Sequence, residues 1–421
     1  MNSKNATQPS INSVPSIDTI NTILIINAGT STIKFALYQP RELKLVFEGK
    51  IERVGQEDSR LICKYTAINS LEALPLVITD RKSTINFLIH WLEQQACFGT
   101  IKAVAHRVVH GMHHTAPERV SKSLLVELHQ IGANDRDHLP GEVEIIEAIF
   151  WRHPMLTQVV CFDAAFHHSL PRVAKLLAIP RRFSNKGIER YGFYGFSYAY
   201  LLFELERIGE PSACKGRVIL AHLGSGVSIA AILDGKSIDT SMCFTQASGL
   251  PMATRSGDLD PGLISYLMQN EKMTSTQLRH IVNYESGLLG VSETTSDMRD
   301  LLVLEKTDVR AAEAIEMFCY QVKKWLGAYA AALGGIDTLV FTGGIGEYAA
   351  SVRTRICEGL EFLGIKLDEV KNTSNMQVIS SVTTRVKIFV IHTNEELMIA
   401  RCALQILPTR RASSRVLNQE K

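Results

Sequence analysis

The feature that most constrains the fold is a pattern of short strands and polar turns that occurs once in each half of the chain. In the first half, the predicted strands are Ile23–Ile26, Phe35–Tyr38 and Leu43–Glu48. In the second half, they are Arg217–Ala221, Val227–Leu233 and Ser237–Thr240. In both copies a turn containing Gly and hydroxyl residues joins the first two strands. This repetition predicts an α/β protein with internal duplication.

Each predicted meander is followed by segments with helical and buried-strand patterns. Periodicity predicts helices over Thr84–Gln95, Leu124–Ile131, Gly262–Gln269, Ser275–Val282, Ala311–Leu333, Ser351–Leu360 and Asn394–Ile406. Short apolar runs predict strands over Val104–Val109, Val159–Phe162, Leu339–Thr342 and Ile388–Ile391. The first segment, residues 1–22, is rich in Ser, Asn and Thr and lacks the apolar core of a signal peptide. We therefore expect a flexible leader before two α/β halves.

The composition excludes several classes of protein. Lys and Arg number 45 against 43 Asp and Glu, so no global field attracts a nucleic acid or a membrane surface. No segment approaches the ~20 consecutive apolar residues that a membrane-spanning helix needs. The eight Cys residues are scattered without a CxxC pair, a pattern typical of reduced thiols in the cytoplasm. An anionic ligand must therefore be held by a local site.

The two Gly-containing turns are candidates for phosphate binding. Asn27–Lys34 offers backbone N–H groups, hydroxyls and a cation, although its spacing is not that of a Walker loop and a strand follows it. Taken alone it could be an ordinary hairpin turn. A second such turn at His222–Gly226 favours a nucleotide phosphate clamped between two lobes.

Further polar clusters stand at the ends of predicted strands. Gly343–Glu347 could cradle a nucleotide or simply allow close helix packing. Thr254–Pro261 contains Arg255, which could fork onto phosphate or carboxylate oxygens or lie in a solvated loop. Asp163 ends an apolar strand, a common catalytic position in α/β folds. Asn394 and Glu395 follow the last strand and could serve only as helix caps.

A histidine cluster raises the question of zinc. His106, His110, His113 and His114 lie close together in the sequence, but no Cys or carboxylate stands nearby at ligand spacing. We therefore do not interpret the cluster as a zinc site. The charged residue at 107 follows an apolar strand, where it needs a specific role.

Taken together, these motifs resemble the acetate kinase family. The matching segments run in order from about residue 23 to 405. They are Asn27–Lys34, His106–Gly111, Phe162–His167, Arg190–Phe193, His222–Gly226, Thr254–Pro261, Ser296–Asp300, Phe341–Glu347 and Thr393–Leu397. The resemblance implies two duplicated ribonuclease H-like lobes of the sugar kinase, Hsp70 and actin superfamily, with an active-site cleft between them. The resemblance implies an N-terminal lobe formed by residues 23–165 and 393–421, which binds the acceptor and the metal. It implies a C-terminal lobe formed by residues 166–392, which binds the nucleotide and forms the dimer.

The resemblance also implies an activity and a partner set. Members transfer the γ-phosphoryl group of ATP reversibly to acetate, forming acetyl phosphate and ADP, with Mg²⁺, for which Mn²⁺ can substitute. The implied partners are a small carboxylate, ATP or ADP and a second copy of the chain, in the cytoplasm. Such chemistry demands in-line positioning and positive charge on the transferring phosphoryl oxygens rather than covalent help.

The matching motifs assign roles to individual residues. The implied catalytic residues are Asp163, Arg255 and Tyr194. The implied carboxylate site consists of Arg107, Val109 and Phe193. The implied nucleotide site consists of Lys34, His222, Gly224, Ser225, Gly226, Asp297, Arg299, Gly343, Gly344, Ile345, Gly346 and Glu347. The implied metal site consists of Asn27 and Glu395.

The chain departs from the family pattern at several of these motifs. Tyr194 replaces a His that helps to stabilise the transferring phosphoryl group. Ser225 and Tyr348 each replace an Asn. In the apolar wall around the acetate methyl, alignment places Asp137 where the family has Leu, and Gln246 where it has Pro. Two polar wall residues would favour an acid that carries a hydroxyl or amino group.

These departures leave two alternatives to acetate phosphorylation. One is a kinase of the same family with another acceptor, such as propionate or a more polar acid. The other is a nucleotide-binding homologue with weak or lost catalysis. Arg107, Asp163 and Arg255 argue against the second alternative, because a protein that only binds ATP needs no carboxylate clamp.

Overall fold

The structure is a computed structural model that describes residues 21–66, 70–132, 139–208 and 215–407. Contacts divide these residues into two compact units. The first unit comprises residues 21–108, 116–162 and 399–407, and the second comprises residues 109–115 and 163–398. The sequence analysis set the lobe boundaries at 165/166 and 392/393. The predicted leader up to residue 20, and Asp137, lie outside the described residues.

The first unit is built on a mixed sheet of eight strands. The strands are β1 (Thr22–Ala28), β2 (Thr32–Gln39), β3 (Lys44–Glu52), β4 (Arg60–Tyr65), β5 (Ser70–Pro75), β6 (Ile101–Val108), β7 (Glu118–Arg119) and β8 (Thr157–Phe162). Their order is β5-β4-β3-β2-β1-β6-β8-β7. Strands β1 to β5 form an antiparallel meander, and β1, β6 and β8 run parallel.

Helices cover this sheet through their apolar sides. They are α1 (Arg81–Glu93), α2 (Lys122–Gly132) and α3 (Leu139–Arg152), with a 3₁₀ turn at Phe98–Thr100. Helix α1 begins where the Asp80 carboxylate accepts the Ser83 N–H at 2.8 Å, satisfying a donor that the helix cannot satisfy internally. Its residues Ile85, Leu88 and Leu92 recur on one face and are buried against the sheet.

The second unit repeats the central part of this topology. Its strands are β9 (Arg217–Leu223), β10 (Val227–Leu233), β11 (Lys236–Thr240), β12 (Thr338–Thr342) and β13 (Lys387–Val390). Their order is β11-β10-β9-β12-β13, with an antiparallel meander followed by two parallel strands. The duplication predicted from the two strand–turn–strand patterns is therefore confirmed, and so is the α/β fold class.

The remaining helices belong to the second unit or to its boundary. They are α4 (Arg172–Lys175), α5 (Arg181–Ser184), α6 (Gly195–Arg207), α7 (Pro261–Gln269), α8 (Ser275–His280), α9 (Gly287–Ser292), α10 (Met298–Leu304), α11 (Val309–Leu333), α12 (Gly343–Tyr348), α13 (Ala350–Cys357), α14 (Glu369–Thr373) and α15 (Glu395–Ala403). Short turns of 3₁₀ or π type cover Asp163–Ser169, Ile281–Glu285 and Glu361–Leu363. The long helix α11 packs Ile315, Phe318 and Val322 into the core of the second sheet.

The prediction for one segment needs correction. Gly343–Glu347 was expected as a loop between a strand and a helix, but it forms helix α12, and the predicted following helix is α13. Gly343 has φ 79°, a left-handed conformation that glycine adopts without strain, so the chain can leave β12 and enter the helix directly. Among the described helices, none is both long and apolar enough to cross a membrane.

Candidate active site

In the first unit, strand pairing brings three of the predicted residues to one end of the sheet. Asn27 pairs with Lys34 across β1 and β2, and the intervening turn is closed by the Gly29 N–H donating to Thr32 O at 2.8 Å. Strand β6 lies beside β1 with Ile26 opposite His106, so Arg107 follows at the level of Asn27. A buried amide and two cations therefore collect at the carboxyl end of β1 and β6, where α/β folds bind ligands.

Arg107 has a partner that sequence analysis missed. Its Nη1 lies 3.3 Å from Oε1 of Glu142, a residue of α3 whose side chain is only 1% exposed. A carboxylate this deeply buried requires a cation, and the pair fixes the direction of the guanidinium group. No local pattern pointed to Glu142, because it stands in a helix of mostly apolar residues, 35 positions from Arg107.

In the second unit, Asp163 holds the start of helix α6. Its Oδ2 accepts the Tyr194 N–H at 3.1 Å, and its Oδ1 accepts the Phe196 N–H at 2.9 Å. The carboxylate is almost completely buried. Acceptance of two backbone N–H groups at a helix start fixes the orientation of the carboxylate.

Tyr194 sits at the N-cap of α6 with φ 63°, in the left-handed region that a non-glycine residue rarely occupies. Its ring lies 4.4 Å from the His222 ring, measured between centroids. Its hydroxyl lies so close to Gly226 that a Cβ there would overlap it, and the same Cβ would lie 3.7 Å from Nη1 of Arg255. The structure thus brings Tyr194, His222, Gly226 and Arg255 together around the turn between β9 and β10.

His222 is oriented by a second residue that sequence analysis did not single out. Ser197 Oγ lies 2.9 Å from His222 Nδ1, and both groups are buried. The Ser197 hydroxyl can donate to or accept from Nδ1; in the tautomer in which it donates, the ring proton is on Nε2, the nitrogen nearest to Gly224. His222 can therefore present an N–H donor to the Gly224–Gly226 turn.

The loop that carries Arg255 is held by several main-chain hydrogen bonds. Met252 N–H donates to Arg255 O at 2.9 Å, and Ser256 N–H donates to Val282 O at 3.0 Å. Thr254 Oγ1 donates to Asn283 O at 2.8 Å. These bonds link the loop to the π turn at Ile281–Glu285, so Arg255 projects from a fixed backbone.

The glycine segment of α12 lies against the same turn. A Cβ at Gly343 would come within 2.7 Å of Leu223 O, and one at Gly224 would lie 3.9 Å from the Gly344 N. Glu347 Oε1 accepts the Gly343 N–H at 2.9 Å, and its Oε2 lies 2.7 Å from His392 Nδ1. Burial raises the pKa of Glu347, but the hydrogen bonds, chiefly that from His392, outweigh it and hold the pKa below its ordinary value.

Arg353 stabilises this glycine segment by donating hydrogen bonds to its backbone carbonyls. Its guanidinium group is fully buried and donates to Gly346 O at 2.8 Å and to Glu347 O at 3.0 Å. It also donates to Oδ1 and O of Asn372, both at 2.8 Å, and to Oδ1 of Asn375 at 2.7 Å. Burial lowers its pKa to about 10. The arginine still carries its charge at neutral pH and satisfies the last carbonyls of α12.

Other predicted residues lie in local arrangements of their own. Asp297 caps α10 by accepting the Arg299 N–H at 2.9 Å, and hydrogen bonding to Arg299 lowers its pKa. The described contacts join these two residues to each other and not to the glycine segment of α12. Asn394 accepts the Leu397 N–H at 2.9 Å and is therefore the cap of α15, whose first residue is Glu395.

The two predicted apolar residues are buried in one core cluster of the second unit. Val109 and Phe193 both belong to it, and the His110 ring lies 6.0 Å from the Phe193 ring. His167 holds Phe193 in place, because its Nε2 lies 3.0 Å from Phe193 O and its Nδ1 lies 2.7 Å from Ser237 Oγ. Burial lowers the pKa of His167 to about 4, so the ring is neutral at physiological pH.

Of the four histidines considered for zinc, His106 and His110 have other surroundings, whereas ring nitrogens of His113 and His114 lie within 4.8 Å of a carboxylate oxygen of Glu127 and could hold a metal ion with it. His106 is buried with its Nε2 2.7 Å from Oε1 of Gln158, and burial lowers its pKa to about 4. His110 packs against the Tyr191 ring at 4.3 Å, and His113 stacks on His114 at 4.4 Å. His106 and His110 are therefore parts of packed interiors.

Comparison with known proteins places this chain among carboxylate kinases. A profile described as the Acetokinase family matches residues 22–401. An acetate kinase of Rhodopseudomonas palustris is 41% identical over 386 residues, which cover 90% of this chain and 96% of that protein. An acetate kinase of Bacteroides fragilis is 41% identical over 404 residues, which cover 91% and 99%.

Solved structures agree with these sequence matches. A propionate kinase from Francisella tularensis superposes with a TM-score of 0.85 at 34% identity, covering 92% of this chain and 100% of that one. An acetate kinase from Porphyromonas gingivalis gives a TM-score of 0.81 at 34% identity, with coverage of 92% and 100%.

Proposed function

The chain belongs to the acetokinase family and is a carboxylate-phosphorylating kinase, and from this we propose that it transfers the γ-phosphoryl group of ATP reversibly to acetate. In the forward reaction a carboxylate oxygen attacks the γ-phosphorus. The bond from that phosphorus to the β–γ bridging oxygen breaks, giving acetyl phosphate and ADP. The observation that carries the proposal is the convergence of Tyr194, His222 and Arg255 on the turn at Gly226.

The roles of the residues follow from their chemistry. Arg255 holds the charge on the equatorial phosphoryl oxygens, and Arg107 binds the acceptor carboxylate through its planar donor fork. Lys34, His222 and the Gly224–Gly226 turn donate to the nucleotide phosphates. Asp163 keeps Tyr194 and the start of α6 in position through its two hydrogen bonds to backbone N–H groups.

The remaining assignments complete the nucleotide and acceptor sites. Gly343–Glu347, Asp297 and Arg299 surround the adenosine, with Arg353 keeping the glycine segment in place. Val109 and Phe193 provide the apolar wall for the acetate methyl.

Asn27 and Glu395 are the residues proposed for a magnesium ion, because their side chains carry oxygen ligands. Asn27 contributes an amide oxygen and Glu395 a carboxylate, and Mg²⁺ prefers oxygen ligands and usually shares them with substrate phosphates. Asn27 is buried, so its side chain is held in one place. When bound, the ion would neutralise the developing charge on the phosphate oxygens.

The test of the function is formation of acyl hydroxamate by the purified full chain from ATP, Mg²⁺, hydroxylamine and a carboxylic acid. We expect product with acetate, ATP formation in the reverse direction from acetyl phosphate and ADP, and loss of both on chelation with EDTA. Absence of hydroxamate with acetate and propionate would contradict the proposal and favour a homologue that only binds nucleotide.

The identity of residue 194 leads to a prediction about rate. A phenol has a pKa near ~10 and carries no positive charge at neutral pH, whereas the histidine of the family can carry one. Tyr194→His is therefore expected to raise kcat by roughly tenfold or more. Steady-state kinetics with saturating ATP and acetate measure this. An unchanged or lower kcat would mean that another group has taken over the role.

We also propose a homodimer that assembles through helix α7. No residue of α7 is buried, although Leu263, Tyr266 and Met268 are large and apolar and Leu259 and Tyr284 are also exposed. A helix this apolar with no buried residue is typical of an interaction surface. A second copy of the chain supplies a matching apolar surface by symmetry.

The dimer is tested by light scattering after size exclusion. The wild type should show about twice the chain mass of 46.7 kDa, and Leu263→Glu with Tyr266→Glu should shift it to a single chain. Val382→Glu, a change at an exposed apolar residue elsewhere, is the control and should remain dimeric. A monomeric wild type would show the dimer to be wrong.

Two further points bear on the biological setting. The seven described cysteines form no disulfide with one another, which supports a reducing compartment such as the cytoplasm. Propionate remains the second candidate acceptor, because a structural relative with a TM-score of 0.85 is a propionate kinase.

A further inference from the structure

Gln246 carries a buried polar group without a partner. Its side chain is 8% exposed, and its Nε2 has no hydrogen-bond partner among the residues the structure describes. A buried amide donor normally finds an acceptor, because leaving it unpaired costs the hydration that it lost on folding. Such a donor calls for an acceptor that the described residues do not supply.

The segment around Gln246 packs against the loop that carries Phe193. Cys243 O accepts the Tyr191 N–H at 3.2 Å and the Gly192 N–H at 3.4 Å, and the Phe244 and Tyr191 rings lie 6.3 Å apart. The Gln246 segment and the proposed methyl-binding residue Phe193 are therefore parts of one structure.

The backbone around Gln246 is fixed by its own hydrogen bonds. Ser248 Oγ accepts the Cys243 N–H at 2.7 Å and donates to Thr245 O at 3.0 Å. These bonds close a short loop around position 246. The fixed backbone holds the Cα of Gln246 in one place, and its burial restricts the positions its amide can take.

We infer that the Gln246 amide donates a hydrogen bond to an oxygen on the carbon chain of the acceptor acid. This inference rests on the proposed function and refines its acceptor. A hydroxyl or keto oxygen can accept from Nε2, whereas a methyl group leaves the amide unpaired and an ammonium group offers only donors. The enzyme should therefore prefer a small hydroxy or oxo acid to an apolar acid of equal size, and should not favour glycine.

Glycolate and propionate are the matched probes, because they differ only by a hydroxyl in place of a methyl group. We expect the wild type to show a kcat/KM for glycolate at least about tenfold above that for propionate in the hydroxamate assay. Gln246→Leu, which keeps the size but removes the amide, should lower this ratio about tenfold or more. Gln321→Leu, the same change on helix α11, should leave the ratio unchanged.

Each outcome separates the inference from the function. A wild type that phosphorylates acetate but shows equal kcat/KM for glycolate and propionate, or favours propionate, overturns the inference and leaves the kinase assignment intact. An unchanged ratio in Gln246→Leu overturns it as well. Failure with every acid overturns the proposed function itself. If Gln246→Leu does not fold, the wild-type ratio together with that of Gln246→Met decides.

Discussion

Replacement of Arg255 by alanine is expected to lower kcat by a factor of about 10²–10³ while leaving the fold intact, since one transition-state donor is typically worth that much. The guanidinium group lies beside Gly226 and Tyr194, and the Arg255 backbone is bound to Met252. Its removal takes away positive charge where the phosphoryl group transfers, without removing a core side chain. The measurement is kcat for acetyl phosphate formation at saturating substrates.

The control for this prediction is Arg60→Ala. The Arg60 side chain is 59% exposed and pairs at the surface with Glu52, which also pairs with Lys50, and such surface pairs contribute little to stability. Its removal should leave both kcat and the unfolding temperature close to those of the wild type. Retention by Arg255→Ala of more than a third of the wild-type kcat would show that Arg255 does not act on the transition state.

Replacement of Arg353 by methionine is expected to lower the free energy of unfolding by about 3 kcal/mol or more, because several buried acceptors lose their donor together. These acceptors are the carbonyls of Gly346, Glu347 and Asn372 and the side-chain oxygens of Asn372 and Asn375. Two of these acceptors, the carbonyls of Gly346 and Glu347, lie in the last turn of helix α12, which is part of the proposed nucleotide site. The KM for ATP should therefore rise as well. Urea unfolding followed by circular dichroism, with ATP titration of the rate, measures both effects.

Arg353→Lys distinguishes geometry from charge. Lysine keeps a positive charge but has three donors on one nitrogen, so it cannot reproduce the planar fork that reaches α12 and Asn372 at once. We expect it to recover only part of the lost stability. A free energy of unfolding for Arg353→Met within about 1 kcal/mol of the wild-type value would contradict this prediction. It would mean that water replaces the guanidinium group at modest cost and that Arg353 contributes little to the stability of the segment.

The parts of the fold that local patterns determine were predicted from the sequence. Strand β10 was predicted to the residue, and β1 and α11 to within two residues at each end, because each contains a long apolar run with clear turn or cap signals. Strands β4 and β5 were not predicted. Strand β4 is short, and residues 71–75 of β5 are all exposed, so neither contains a long buried apolar run; both are held by pairing to β3 or to each other.

The residues of the candidate site also fall into two groups, those that a sequence pattern marks and those that only the fold brings together. Asp163 could be found in the sequence because it ends an apolar strand, and Arg255 because glycine and proline mark its loop. Glu142, Ser197 and Arg353 could not, because each acts through a partner brought near by folding rather than by spacing. Sequence analysis also assigned Asp163 only a chemical role, whereas the structure shows that its carboxylate caps a helix.

The chain passes between its two units four times, at residues 108/109, 115/116, 162/163 and 398/399. The second unit is nearly continuous and is complete at Met398. The first unit is completed only by residues from Ile399 onward, which include the end of α15. There Cys161 Sγ on β8 lies 3.8 Å from Ile399 O. During synthesis from the N-terminus, the part of the chain made first must therefore be the last to finish folding. Its antiparallel meander, β1 to β5, remains open to misfolding or chaperone capture until the residues after Met398 have been synthesised.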